Sequence, residues 1–190
     1  MILPVVAYGH TTLRIKALPV DKNHSGLNAI INNMFETMYA SAGVGLAAPQ
    51  VNLSLRIIVL DASSYAAEHP ELEDYRKVFL NPQILEENGE EWTVSEGCLS
   101  LPDIREDVSR KSNVRLQYYD EQWNLHDEWF DGIVARIIQH EYDHLEGKLF
   151  IDHISPLRKM LLKKRLADIS RGDITVSYKM TFPLRKKHVA

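Results

Sequence analysis

Two histidines four positions apart, with a glutamate directly after the first, lie in the segment QHEYDHLEGKLF, residues 139–150. On a helix this spacing places His140 and His144 on one face, one turn apart, where both imidazoles could bind one metal ion. Glu141 would lie beside that metal without being a ligand and could act as a general acid or base. A catalytic metal usually has three protein ligands and one open position, so the pattern requires a third ligand.

Residues downstream of the two histidines offer only weak candidates for that ligand. Zinc peptidases of the His-Glu-x-x-His type complete their site with a later histidine or glutamate. Here Phe150 occupies the position of such a histidine, and no glutamate follows Glu146. The remaining downstream candidates are Asp152, His153, Asp168 and Asp173. We therefore expect the third ligand upstream.

The single cysteine is the strongest upstream candidate. Cys98 lies in the segment SEGCLSLP, where Gly97 permits a tight turn and Pro102 ends regular structure soon afterwards. A thiolate beside two imidazoles suits Zn(II) or Fe(II). The alternatives are that Cys98 is a small buried hydrophobic residue, and that the two histidines only pack and form hydrogen bonds.

Length and composition indicate an ordinary globular protein, which we expect to form one domain over residues 1–190. It has 45% apolar and 25% charged residues, no internal repeat and no low-complexity linker. A net charge of −4 argues against a protein that mainly binds nucleic acid. No apolar run approaches the ~18 residues of a membrane span. One cysteine and a poor secretory signal favour the cytoplasm.

Helical periodicity of apolar residues predicts three helices. The first begins at the N-cap Ser25 and ends near Gly43. The second runs from about Gly132 to Glu146 and carries the two histidines on its apolar face. The third covers residues 155–170.

Strand patterns occupy much of the remaining chain. The segment LRIIVL, residues 55–60, predicts a buried strand, whereas the polar residues 61–77 predict a partly helical excursion from the core. Residues 77–94 predict strands around an Asn-Gly turn, and residues 113–132 an antiparallel hairpin. Residues 173–182 have strand character and precede a flexible tail. The predicted fold class is α+β, with antiparallel sheets around a central metal-binding helix and additional N- and C-terminal helices.

Three segments together resemble the peptide deformylase family. They are GVGLAAPQ (43–50), EGCLSLP (96–102) and QHEYDH (139–144), in this order. The N-terminal segment PVVAYGHTTLR is also similar to the start of that family. The resemblance implies a metal-dependent hydrolase that removes the formyl group from the N-terminal formylmethionine of newly made polypeptides and releases formate.

The resemblance also implies roles for individual residues. Cys98, His140 and His144 would hold one divalent metal, and metal-bound hydroxide would attack the formyl carbon with Glu141 as general acid and base. The side chain of Gln50 and the backbone N–H of Leu99 would stabilise the oxyanion. The family implies Fe(II) as the native ion, with Zn(II), Ni(II) or Co(II) also able to bind.

An extended substrate would add as a strand, according to the same resemblance, and pair with Val44, Gly45 and Gly97. The methionine side chain would enter an apolar pocket. We expect that pocket to be formed by Ile133 and Ile137 with Val44, and to be rimmed by Glu96 and Arg105. Arg136 lies on the same helix, and its long side chain is expected to carry its charge outward.

Two other functions fit part of the pattern. One is a metallopeptidase that cuts internal peptide bonds, and the other is a non-catalytic module that binds metal or peptide. Among partners, the resemblance implies formylated nascent polypeptides. The basic residues of the late helix and of the segment PLRKKH suggest a weak ribosome contact, or only a solvated surface. No membrane contact and no sequence-specific nucleic acid are expected.

Overall fold

A five-stranded antiparallel sheet forms the centre of the computed structural model, which describes residues 1–183. Its strand order is β2-β3-β4-β5-β6, so each strand pairs with its sequence neighbour. Such local connections need only turns and short excursions. The strands are β2 (Gly45–Ala47), β3 (Ile57–Asp61), β4 (Arg76–Cys98), β5 (Leu101–Tyr119) and β6 (Leu125–Asp131).

Three α-helices, several short 3-10 helices and a second, smaller sheet accompany it in the described part of the chain. The helices are α1 (Leu27–Ala40), α2 (Gly132–Leu145) and α3 (Pro156–Arg171). The small sheet pairs β1 (Val5–Val6) with β7 (Met180–Thr181) in parallel, which joins the N-terminal segment to the segment after α3. This mixture of helices and antiparallel sheet confirms the predicted α+β class.

Helix α2 packs against the sheet through an apolar face. Val134, Ala135 and Ile138 are buried in one cluster with residues of β3 and β5. The helix ends at Leu145. Gly147, two residues later, has a φ of +70°, and a Cβ there would lie 2.9 Å from the Arg14 backbone. Only glycine fits both conditions, so the helix that carries the histidines ends at a fixed place.

The other local predictions were confirmed only in part. The N-cap of α1 is Gly26 rather than Ser25, and residues 61–77 form two short 3-10 turns at Ser63–Tyr65 and Pro70–Leu72. The hairpin predicted at residues 113–132 is formed by the end of β5 and by β6. Of the strand predicted at residues 173–182 only β7 forms, and the predicted tail lies beyond the described residues.

The predicted Asn-Gly turn was wrong. Asn88 and Gly89 lie within β4, which continues past them and pairs with β5 from Leu80 to Cys98. Gly89 has a φ of +83°, and the pairing register shifts between Asn88 and Glu91. The pair therefore forms a bulge rather than a turn, since a long partner strand is available on both sides of it. Among residues 1–183, no helix is long and apolar enough to cross a membrane.

Candidate metal centre

The cysteine and the two histidines predicted as metal ligands meet in space. One ligand atom from each of Cys98, His140 and His144 lies within 4.8 Å of the others, and the Cys98 Sγ is 3.3 Å from the His144 Nε2. Cys98 ends β4, whereas both histidines belong to α2. Sheet and helix must therefore pack together before the site can form. Within residues 1–183, this is the one group of three such side chains close enough to share an ion.

A carboxylate fixes the orientation of His140. The His140 Nδ1 lies 2.8 Å from the Glu96 Oε2, so Nδ1 carries the proton and Nε2 is left free to bind a metal. His144 is buried, and its Nδ1 has no hydrogen-bond partner among the described residues, whereas its Nε2 faces the sulfur.

Electrostatics favour the thiolate form of Cys98. Burial alone would raise the pKa of the thiol, but the imidazoles of His144 and His140 lower it to about 5. The same contact, together with Glu96, raises the pKa of His140 well above its usual value although burial opposes this. A thiolate is the form that binds metal and is more strongly donating than the thiol.

Glu141 is buried beside the ligands but is not one of them. Burial raises the pKa of its carboxyl group, and its Oε2 has no hydrogen-bond partner among residues 1–183. Gly45 makes room for it, because a Cβ at that position would lie 2.6 Å from the Glu141 Oε1 and 2.8 Å from Ile137. The glycine of β2 thus allows the carboxylate to approach the sheet edge.

Gln50 presents its amide to the sulfur in a fixed orientation. Its Oε1 accepts a hydrogen bond from the Ala47 backbone N–H at 2.8 Å, and its Nε2 lies 3.5 Å from the Cys98 Sγ. The side chain is 1% exposed. Because the oxygen is occupied by Ala47, the NH₂ group is the end that points to the site.

A cleft of about 470 Å³ opens in front of these residues. Most of the predicted site residues line it, whereas His144 is buried and is not a lining residue. The predicted residues that line the cleft are Val44, Gly45, Gln50, Glu96, Gly97, Cys98, Leu99, Arg105, Ile133, Ile137, His140 and Glu141. The Arg105 side chain is exposed and bonds to the Ser95 carbonyl at 2.7 Å.

Arg136 does not carry its charge outward, and this prediction was wrong. Its guanidinium is 4% exposed and donates to the Glu96 Oε1 at 2.9 Å, to the Val108 carbonyl at 2.8 Å and to the Trp92 carbonyl. Because the buried Glu96 carboxylate pairs with the guanidinium inside the protein, the charge of Arg136 does not need to reach solvent.

Sequence reasoning missed the ion-pair network behind the ligands. Arg110 donates to the Glu96 Oε1 at 2.7 Å and to the Asp143 Oδ2 at 2.8 Å, and the His153 Nε2 contacts the same Asp143 oxygen at 2.7 Å. The Glu96 side chain therefore turns towards these cations and His140. Charged residues at otherwise inward-facing positions of β5 and α2 are the signal that could have revealed the network.

The residues present fit a divalent metal ion. One thiolate and two imidazole nitrogens converge, and a carboxylate stands next to them without joining the set, as in catalytic rather than closed structural sites. An α+β fold with this site defines a candidate metal-dependent hydrolase.

Comparison with known proteins gives the family. A family model described as polypeptide deformylase matches residues 2–160. The peptide deformylase of Christiangramia forsetii is 53% identical over 194 residues, covering 98% of this chain and 99% of the relative. The chain belongs to the polypeptide deformylase family, which confirms the resemblance and makes the protein a hydrolase.

Solved structures agree with this assignment. A peptide deformylase from Legionella pneumophila is 36% identical, covers 91% of this chain and 98% of its own, and superposes with a TM-score of 0.79. A class I type b peptide deformylase from Acinetobacter baumannii, with Met-Ala-Ser bound, is 38% identical, covers 81% and 99% of the two chains, and has a TM-score of 0.73.

Proposed function

We propose that the protein hydrolyses the formyl group from the N-terminal formylmethionine of newly made polypeptides and releases formate. The observation that carries this is the convergence of Cys98, His140 and His144 next to the buried Glu141. Family membership supports the same activity. The relative from Acinetobacter baumannii is described with Met-Ala-Ser bound, a peptide with the N-terminal methionine that deformylation would leave.

Glu141 would move the protons of the reaction. When bound, a divalent metal would act as a Lewis acid and lower the pKa of a water molecule towards neutrality. Glu141 would take one proton from the attacking water and later give it to the amine as the C–N bond of the formamide breaks. The water oxygen stays with the formyl carbon as formate, and the proton ends on the methionine amine.

Two donors of this chain would stabilise the negative charge that develops on the formyl oxygen. These are the Gln50 amide, whose orientation is fixed by Ala47, and the backbone N–H of Leu99. Loss of one such donor typically costs about 3 kcal/mol of barrier.

The peptide would bind in extended form along the edge of the five-stranded sheet. Gly45 begins β2, the outermost strand of that sheet, and Gly97 lies in the last part of β4, beyond the residues that pair with β3. Both strands therefore have one side available there, and the substrate would add as a strand through Val44, Gly45 and Gly97. Ile133 and Ile137 line the cleft as an apolar surface for the methionine side chain. Glu96 would serve as an anchor for His140, and Arg105 as the exposed rim residue.

We propose Fe(II) as the native ion, with Zn(II), Ni(II) or Co(II) able to replace it, and a cytoplasmic location. The substrate partners are formylated nascent chains. A weak ribosome contact would use the lysines and arginines of α3, and the basic tail lies outside the described residues. Membranes and specific nucleic-acid sequences are not proposed as partners.

Formate release from formyl-Met-Ala-Ser, measured together with metal content, tests this function. Wild type is expected to hold about one metal ion and release formate, and Cys98→Ala and His144→Ala are expected to lose both properties. His126→Ala is the matched control, because His126 pairs with Asp120 and Glu128 outside the cleft. Cleavage of internal bonds in an unformylated peptide, or metal binding without formate release, would contradict the proposal.

A further inference from the structure

The two-residue turn that follows Cys98 and contains Leu99 is held by contacts from outside the main sheet. Cys98 pairs with Leu101, so Leu99 and Ser100 form the connection between β4 and β5. Neither residue has a positive φ. The turn therefore does not belong to the types whose twist matches a two-residue hairpin, and contacts from elsewhere must help to define it.

Both carbonyl groups of the turn accept hydrogen bonds from residues that flank the small sheet. The Tyr8 backbone N–H donates to the Ser100 carbonyl at 2.8 Å, and the Tyr178 hydroxyl donates to the Leu99 carbonyl at 2.7 Å. Tyr8 follows β1, and Tyr178 precedes β7.

The small sheet joins the segment that contains Tyr8 to the segment that contains Tyr178, so the two hydrogen bonds to the turn are coupled. Val5 pairs with Met180 and Val6 with Thr181, and the Ser170 hydroxyl donates to the Tyr8 carbonyl at 2.9 Å. Met180 and Phe182 also pack against the apolar cluster that contains Leu101. The segment after α3 is thereby fixed against the turn.

Tyr178 also lines the active-site cleft, next to Cys98 and Leu99. It lies beyond the residues matched by the family model, and no motif marks it. We propose that Tyr178 is a positioning residue, which fixes the Leu99 backbone so that its N–H keeps the direction needed for the formyl oxygen. This role rests on the proposed function, since it concerns the donor assigned there.

Tyr178→Phe tests the role because it removes only the hydroxyl and keeps the ring. With metal-loaded protein and formyl-Met-Ala-Ser, we expect kcat to fall about 2- to 10-fold, the value of one hydrogen bond, with KM and metal content unchanged. Tyr118→Phe is the matched control, because it removes a hydroxyl that donates to Glu128 outside the cleft. It should leave kcat unchanged.

Native-state hydrogen exchange provides a readout that needs no activity. In Tyr178→Phe, the peptide containing residues 98–101 should exchange several-fold faster, whereas peptides from α2 should exchange as in wild type. A raised KM with unchanged kcat would overturn the proposal, since the phenol would then contact the substrate. Unchanged kcat and exchange, or faster exchange throughout the protein, would also overturn it. Failure of wild type to release formate would instead refute the proposed function, with the exchange result still interpretable.

Discussion

Glu96 and Glu141 are both buried carboxylates near the same histidine, yet their surroundings differ. Burial opposes ionisation of Glu96, but hydrogen bonds from His140 and Arg110 hold its pKa well below its usual range. Glu141 lies among fewer cationic contacts, and burial raises its pKa. Two carboxylates with pKa values displaced in opposite directions are suited to different tasks. Glu96 can stay ionised to orient His140, whereas Glu141 can exchange protons.

Glu141→Gln should separate proton transfer from metal binding. The amide has nearly the same shape but cannot accept the water proton, so kcat should fall by about 10²- to 10⁴-fold. Metal content should stay at the wild-type level, because Glu141 is outside the ligand group. Formate release and metal analysis on the same sample provide the measurement.

Glu146→Gln is the matched control for that experiment. Glu146 lies just after α2, where it pairs with Arg56 and Lys16 rather than facing the cleft. Its replacement should change kcat by less than about twofold. Equal activity of Glu141→Gln and wild type would remove Glu141 from the mechanism.

Residue types and spacing were enough to predict which three side chains converge, but not which residues support them. A period of four on an apolar helix face places His140 and His144 together, and the lack of downstream donors indicates Cys98. Arg136 is also on α2, but nothing in a helical pattern says which strand residue will face it. Its partner Glu96 is 40 positions away, and only the packing of β4 on α2 brings the two together.

At the scale of elements, buried ion pairs connect the hairpin β4–β5 to helix α2. Arg110 of β5 is 7% exposed and bridges Glu96 of β4 and Asp143 of α2, which are 4% and 11% exposed. Its removal would leave two buried carboxylates with fewer partners. Arg110→Met should therefore lower the free energy of unfolding by about 3 kcal/mol or more, measured by urea denaturation.

Arg115→Met, on the same strand, is the control for that loss. Arg115 forms a two-bond pair with Asp127 of β6, but the two side chains are 43% and 36% exposed. Solvent already screens such a pair, so its loss should matter much less than that of Arg110. Equal effects of the two substitutions would show that the buried bridge does not connect sheet and helix.

The turn between β5 and β6 should show a pH-dependent contribution to stability. Asp120 accepts hydrogen bonds from the backbone N–H groups of Gln122 and Asn124 and contacts His126. Desolvation opposes ionisation, but these contacts lower the pKa of Asp120 to about 2. Because the pKa is lower in the folded state, ionised Asp120 stabilises the fold at pH values above the ordinary carboxyl pKa of about 4. This contribution to the free energy of unfolding disappears as the pH falls towards 2.

Urea midpoints of wild type and Asp120→Asn between pH 6 and pH 3 measure this contribution. The urea midpoint of wild type should exceed that of Asp120→Asn by a constant amount near pH 6, and this difference should shrink below about pH 4. Glu121→Gln, an exposed change on the same turn, corrects for the altered net charge. A difference that grows on acidification would contradict the assignment.

The prediction of strands and turns failed where one local sequence pattern is compatible with two structures. An Asn-Gly pair between strand-like segments is typical of a hairpin turn, but the same pair also fits a bulge. The choice depended on β5, which is long enough to pair with β4 on both sides of Gly89. That length is a tertiary property, whereas the periodicity of α2 is local and predicted the helix to within one residue.

At the scale of the whole molecule, the candidate metal centre lies where separate parts of the fold meet. Cys98 packs against the apolar cluster formed by β1, β5 and α3, whereas Ile137 and Ile138 of α2 belong to the cluster formed with the central sheet. An ion bound by Cys98 and both histidines would therefore connect the two hydrophobic clusters. Cys98 and His144 are 46 positions apart in the sequence. Opening either cluster would separate the ligands, and so metal binding and global folding must be coupled.

Metal removal should consequently lower the stability of the entire protein. A ligand that binds only the folded state stabilises it by about 2.7 kcal/mol at a 100-fold excess over Kd. We expect chelation to lower the melting temperature of wild type by several degrees, and added Ni(II) or Zn(II) to restore it. Cys98→Ala should melt at one temperature with or without chelator, because its site has lost a ligand. If that variant shifted as much as wild type, the ion would bind elsewhere, and the thiolate would no longer be the residue that couples the metal to the fold.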